Sequence, residues 1–422
     1  ILIEAGNMTT ATVESGAKVT GTGGTAKVGV GASIGVNVGV NTTVAEVADK
    51  AVLTGGKDLG LNATADHALT TSVTGGAAGA RVAVTPLVAA TVAVNTTTAR
   101  LGESSTDLGI AGKYSSTADH KGSATTTATG QTEGSSVAVG ASIGLTVATD
   151  TVVAEIDRNV TATSGVEVNA KSAAKSSTSA TASVKGGEKA KDDGTAPAAG
   201  GGSGSGDSVD KKVADQQSKA TAAGKKTADK APAAATPAAG SSASTKLQNT
   251  QDNQQAPTTE ENTQSGGVAV AAAVGVNTGI ATTVAKVGKG RTISSTGGAL
   301  KVSSVNHTDA SAKADGSQID SGKTDVGVGA AVALNVGVST NVAVVGENAD
   351  IQTKGLTISA VNATGEKSDF VAEAKSGAGA GKVGVAGSLA ANIVVNTTVA
   401  ALEGDSTDDV DSKGAVVNAH GG

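Results

Sequence analysis

The chain has 422 residues, 32 basic against 38 acidic side chains (net charge −6), no cysteine or tryptophan, and one tyrosine, one phenylalanine and one methionine. This excludes a disulfide framework and thiolate metal sites. It argues against a nucleic-acid surface, which needs clustered Lys and Arg, and it leaves almost no aromatic volume to fill a wide globular core. The 59 glycines, set among abundant Val, Ala, Thr and Ser, suit a thin core between sheets, since branching at Cβ favours strands.

The opening stretch, ILIEAGNMTTATVESG, belongs to a slot that recurs later in the chain. A twenty-residue block follows, and it occurs six times without a gap, starting at Val28, Val82, Val137, Val268, Val326 and Val383. The first copy reads VGVGASIGVNVGVNTTVAEV, the third VAVGASIGLTVATDTVVAEI and the last VGVAGSLAANIVVNTTVAAL. Successive starts lie 54, 55, 131, 58 and 57 residues apart, so the long gap is one period plus an insertion. Between blocks runs a polar turn, a short apolar alternation around a glycine, and a long Thr/Ser/Ala stretch such as LGLNATADHALTTSVTGG from Leu59. Residue 1 is Ile and both ends stop inside a repeat, so a piece of something longer is expected.

Inside the block the period is two. Val28, Val30, Ile34, Val36, Val38, Val40 and Val44 share one parity, and Gly29, Gly31, Ser33, Gly35, Asn37, Gly39, Asn41 and Thr43 share the other. Such alternation predicts strands with the valine face buried. The small-residue face suggests close approach of another layer. Helix is disfavoured, because each interior Gly costs roughly 1 kcal/mol relative to Ala. The expected fold is therefore all-β: an elongated parallel β-solenoid of six repeats of about 55 residues, in which stacked repeats bury a face that none could bury alone. A period this long suggests two or three coils per repeat, and a rod of roughly 60 to 90 Å at about 4.8 Å per coil.

Stacking places like residues in columns. Asn41, Asn95 and Asn396 share one slot, with Asp150 and Ser339 as polar variants, and Thr42, Thr96, Thr151, Thr282, Thr340 and Thr397 share the next. Such Asn and Thr ladders can hydrogen-bond along the stack. The chain divides into repeats over 1–185, a low-complexity insertion over 186–266, and repeats over 267–422. The insertion holds four of the five prolines, and Val209, Val213 and Leu247 are its only branched aliphatics. It is expected to be disordered, with transient helix over Asp207 to Lys230.

Glu403, Asp405, Asp408, Asp409 and Asp411 form an acidic cluster that could hold Ca²⁺, although a solvated turn is the simpler reading. His67 and His120 stand in matching Asp-His pairs one repeat apart; a metal pair is one reading and an inherited surface position the other. Asn-x-Thr sequons at Asn7, Asn41, Asn62, Asn95, Asn159, Asn306, Asn362 and Asn396 follow from the repeat. The fourth block, VAVAAAVGVNTGIATTVAKV, comes nearest to a membrane span, but its Asn, Gly and Thr content argues for a strand. No nucleophile elbow, phosphate loop or metalloprotease motif is present, so no enzyme and no obligatory cofactor are expected.

Blocks such as VGVGASIGVNVGVNTTVAEV, preceded by ATADHALTTSVTGGAAGA, resemble the repeats of giant bacterial filamentous adhesins, of the leukotoxin and filamentous-haemagglutinin type. The resemblance covers nearly all the chain outside the insertion. It implies a secreted or cell-surface stalk built as a parallel β-solenoid. It further implies partners that are protein surfaces or glycans on a host or neighbouring cell, or copies of the chain itself, without nucleic acid. Two other readings stay open: an ice- or crystal-binding solenoid using the Thr column, and a self-assembling extracellular fibre subunit.

Overall fold

The computed structural model describes residues 1–19, 27–79, 81–186, 267–319, 324–404, 410–412 and 415–420, the last two stretches as backbone only. The described residues are all β. One sheet of long strands contains β1 (Leu2–Val19), β4 (Leu59–Gly79), β7 (Lys113–Gly134), β10 (Gly165–Gly186), β13 (Leu300–Gln318), then β16 (Leu356–Asn362) and β17 (Phe370–Gly377), which both pair with β13, and finally β20 (Ala415–His420). A second holds β2 (Val28–Val30) and β3 (Ser33–Val47), then β5 (Val82–Leu101), β8 (Val137–Ile156), β11 (Val268–Val287), β14 (Val326–Val345) and β18 (Val383–Leu402). The third is narrow: β6 (Leu108–Ile110), β9 (Val160–Ala162), β12 (Thr292–Ser295), β15 (Asp350–Thr353) and β19 (Val410–Ser412). We call these the polar, valine and short sheets.

The pairing between successive repeats is parallel throughout, and the block starts stay in register: Val28 pairs with Val82, Val82 with Val137, Val137 with Val268, Val268 with Val326 and Val326 with Val383. The protein is thus a parallel β-solenoid. The insertion does not disturb it, since β11 pairs with β8 and β13 with β10 across the gap. The insertion falls in the sequence between β10 and β11, where the equivalent corner Gly134–Val137 is tight. The expected disorder and helix of 187–266 lie outside the described residues.

Two expectations need correction. Each 55-residue repeat closes one coil, not two or three, because both long segments are single strands of about 20 residues. The stack therefore rises about 4.8 Å per repeat, and its six copies span roughly 30 Å along the axis, while each long strand runs about 66 Å across it. The second correction concerns the buried face. The valine parity points outward: Ile34 is 68% exposed, Val38 63% and Val40 71%. The small parity points inward, and Ser33, Asn37, Asn41, Thr43 and Ala45 are buried.

The cross-section explains why. It is a wedge. At the wide end three sheets enclose a space filled by Leu59, Leu61, Tyr114, Val166, Leu300 and Leu356 from the polar sheet, Leu101, Ile156, Val287 and Val345 from the valine sheet, and Leu108, Val160, Ile293 and Ile351 from the short sheet. In the narrow arm the two long sheets face one another directly, and the filling shrinks to Ala180, Ala182, Ala273, Ala312, Ala314, Ala331 and Ala333. The approach is close enough that a Cβ on Gly275 would lie 2.5 Å from the Lys313 carbonyl oxygen. Branched aliphatics enter the arm opposite glycines: a Cβ on Gly39 would lie 2.5 Å from Leu69, one on Gly35 2.6 Å from Val73 and one on Gly75 2.4 Å from Leu87. A valine at every second position has no such room, so the valine parity goes outside.

The wide end is tied by one cation. Arg158 is buried, and no carboxylate is among its hydrogen-bond partners. Its Nε donates to the Gly102 carbonyl (2.6 Å), Nη1 to that of Ala51 (2.7 Å) and Nη2 to that of Ala48 (3.0 Å), so it stitches the first three coils. Burial lowers its pKa from the ordinary value, opposed by Tyr114 and Asp49. Replacing it leaves three carbonyls without donors, at about 1–3 kcal/mol for each one that stays dry. The Arg158→Met chain is expected to unfold in urea with at least about 3 kcal/mol less stability, and with faster amide exchange confined to the first three coils. A loss below about 0.5 kcal/mol would contradict this role.

Candidate functional site

The narrow arm carries the ordered polar chemistry of the molecule. In the anticipated Asn slot, Asn41 Nδ2 donates to Asn95 Oδ1 (2.8 Å) and Asn95 Nδ2 to Asp150 Oδ1 (2.7 Å), all three side chains being buried. Ala281 interrupts the column before Ser339 and Asn396 resume it. Asn41 and Asn95 thus spend their amides inside the stack, whatever their sequons suggest. The Thr42, Thr96, Thr151, Thr282, Thr340 and Thr397 column is also in register, but it lies on the outer face of the valine sheet.

A second column was missed. Asn37, Thr91, Thr146, Asn277, Asn335 and Asn392 occupy the tenth position of every block and stack in register. Asn277 donates to Asn335 (2.8 Å) and Asn335 to Asn392 (2.9 Å). Across the gap, Thr71, Thr126 and Thr178 of the polar sheet alternate with Thr91 and Thr146. The zigzag Thr71–Thr91–Thr126–Thr146–Thr178 has successive hydroxyl separations of 2.7, 2.8, 2.7 and 2.6 Å. Reading the tenth position down the six copies would have shown the Asn/Thr column; only the opposing sheet supplies the other half of the zigzag.

Beside these columns sits the histidine pair. The rings of His67 and His120 are 5.5 Å apart, between centroids, and inclined at 46°. They are not in one slot: Ala65 pairs with His120 and His67 with Gly122. Neither is at the surface, so the surface reading is overturned; both side chains point into the narrow arm, where they are 1% and 0% exposed. His120 Nε2 lies 2.9 Å from Asp150 Oδ1 and its Nδ1 3.2 Å from the Thr97 hydroxyl. Both nitrogens of the His120 ring thus have a polar partner, the Asp150 carboxylate accepting from Nε2–H. Gly122 makes the room, since a Cβ there would lie 2.7 Å from the Asp150 carboxylate and 2.8 Å from His120 Nε2.

Both ring nitrogens of His67 are buried without a hydrogen-bond partner. Burial, reinforced by His120 and only partly offset by Asp150, pulls its pKa from 6.5 down to about 4. Among the described residues no three His, Asp, Glu or Cys side chains are placed to hold a metal ion. Of the acidic calcium candidates, Glu403 is an exposed residue following β18, and Asp411 lies in the backbone of β19. Asp405, Asp408 and Asp409, with the Asp411 side chain, lie outside the described residues. His307 faces outward on β13 and pairs with Asp309 (3.4 Å), whose hydrogen bond raises its pKa.

The two outer faces differ in kind. The polar sheet presents Lys, Asp, Glu, Ser and Thr, with coil-to-coil ion pairs Lys113–Glu167 (2.8 Å), Lys171–Asp119 (3.6 Å) and Lys185–Glu133 (3.4 Å). The valine sheet presents Val, Ile, Leu, Ala and the Thr column. Its outward charges are confined to the nineteenth block position, where Glu46–Arg100 (3.1 Å) and Glu155–Lys286 (2.7 Å) pair along one edge. Among the described residues no helix is long and apolar enough to cross a membrane, and the fourth block is β11.

The fold and these two faces define a class: a single-coil-per-repeat parallel β-solenoid with a hydrogen-bonded interior. No family model, no curated protein and no solved structure matches the chain.

The unsatisfied imidazole makes a pH signature. Unfolded, His67 titrates near 6.5, and folded near 4, so protons favour the unfolded chain. Its neutral burial is harmless above about pH 6.5, and stability falls as the pH drops towards 4, by up to about 3 kcal/mol. In the His67→Leu chain that fall should shrink, with stability at pH 7 equal or higher because two unpaired nitrogens are gone. Urea midpoints at pH 7, 5.5 and 4 measure it; parallel pH profiles for parent and variant would contradict it.

Proposed function

We propose that this chain is a structural segment of a secreted or cell-surface bacterial adhesin or extracellular filament, a stalk whose work is reach and not catalysis. The observation that supports this best is the in-register stacking of like strands. Coils built this way add along one axis with the same contacts at each step, so length is set by the number of repeats. The interior hydrogen bonds are consumed in holding coil to coil, and neither they nor the buried histidines open onto solvent where a substrate could reach them. The adhesin-like repeat composition supports an extracellular setting. Its partners on that reading are protein surfaces or glycans of a host or neighbouring cell, met by side faces and loops, or further copies of the chain.

An antibody raised against this chain tests the setting. It is expected to label intact, unpermeabilised source cells and filaments shed from them. Labelling that appears only after permeabilisation would overturn the proposal.

A further inference from the structure

We propose that the outer face of the valine sheet is a self-association surface, on which a second copy of this chain docks face to face. The inference does not depend on the stalk reading, since it follows from the two-sided character of the slab.

The face is large. Strands of 20 residues and six coils give about 66 by 29 Å, or roughly 1,900 Å² per copy. Pairing two copies would remove roughly 3,800 Å² from water, inside the range of obligate homodimers and several times the largest apolar patch of an ordinary monomer. The first nine outward positions of every block carry no charged side chain. The strands are in unbroken register. Such a ridge-and-furrow surface of β-branched residues packs well on another like it, as the inner faces of a β-sandwich do. A two-fold arrangement needs only one patch that complements itself, and a uniform valine face does.

Other occupants fit less well. A bilayer surface favours Lys and Arg around an apolar face and aromatic residues at the interface. Here the single charged edge alternates in sign, and the chain has one Tyr and one Phe, the Tyr buried at the wide end. The insertion offers only Val209, Val213 and Leu247 against a face of this size.

Sedimentation equilibrium of the full chain at tens of micromolar tests this. The parent is expected at twice the 39.9 kDa chain mass. The double variant Val147→Lys/Val276→Lys should sediment as one chain with an unchanged far-ultraviolet dichroism spectrum, and Ser123→Lys/Thr125→Lys on the polar sheet should still pair. A parent that is a single chain, or a valine-face variant that still pairs, overturns the proposal, the latter pointing to end-to-end stacking. A single-chain parent that floats with phosphatidylglycerol vesicles would assign the face to lipid instead. Should the lysine variant fail to fold, a spin label at Val147→Cys gives the answer, because the chain has no other cysteine and Val147 lies near the centre of the face. Face-to-face sheets sit about 10 Å apart, so dipolar coupling between chains is expected, and its absence overturns the pairing.

Discussion

The whole molecule depends on one constraint: each strand lies on its counterpart from the next repeat, parallel and in register, one coil per repeat. Once Val82 sits on Val28 and Val137 on Val82, every other position of the block is stacked on its equivalent. Identical side chains then meet at the strand spacing, which is the distance at which an amide column can bond to itself. The Asn41–Asn95–Asp150 and Asn277–Asn335–Asn392 ladders are consequences of that step, as are the ion pairs between coils on the polar sheet.

Stacking alone does not choose the interior. The thickness of the narrow arm does. A gap that brings the Lys313 carbonyl within 2.5 Å of a hypothetical Cβ on Gly275 favours glycine, alanine, serine, threonine and asparagine, and takes a larger side chain such as Leu69, Leu87 or His120 where a glycine stands opposite or beside it. The ordinary association of burial with hydrophobicity is inverted along the block: hydroxyls and amides, many of them hydrogen-bonded in columns, point inside, and valines point outside. Buried polar groups are tolerable when satisfied. The zigzag of five threonines meets that condition, whereas His67 does not and becomes the acid-sensitive point.

Much of the fold was legible in the sequence. The six block starts coincide with the starts of β2, β5, β8, β11, β14 and β18, and the Asn and Thr columns fell into register as the repeat implied. Alternation identified strands but could not say which face was inside, because burial there is decided by the distance to a second sheet that the periodicity of one strand does not encode. The same blindness hid the burial of the histidine pair, although the sequence had already set the two residues side by side. His67 and His120 follow Asp66 and Asp119 in equivalent dipeptides, yet their strands pair with a two-residue offset, Ala65 opposite His120. The coil count was missed for a related reason: a 20-residue strand is unusually long, so a 55-residue period suggested several short coils where one long-sided coil exists.

A wedge with a hydrogen-bonded interior, one polar face and one apolar face is a building element more than a reaction vessel, and its geometry rests on the one-coil step. Spin labels at Thr125→Cys and Ser177→Cys, register partners on the exposed polar sheet, test that step directly. One coil per repeat puts their backbones about 4.8 Å apart, so strong short-range dipolar broadening is expected in the double-labelled chain. Labels separated by the width of two or three coils, with a spectrum equal to the sum of the single variants, would contradict the account.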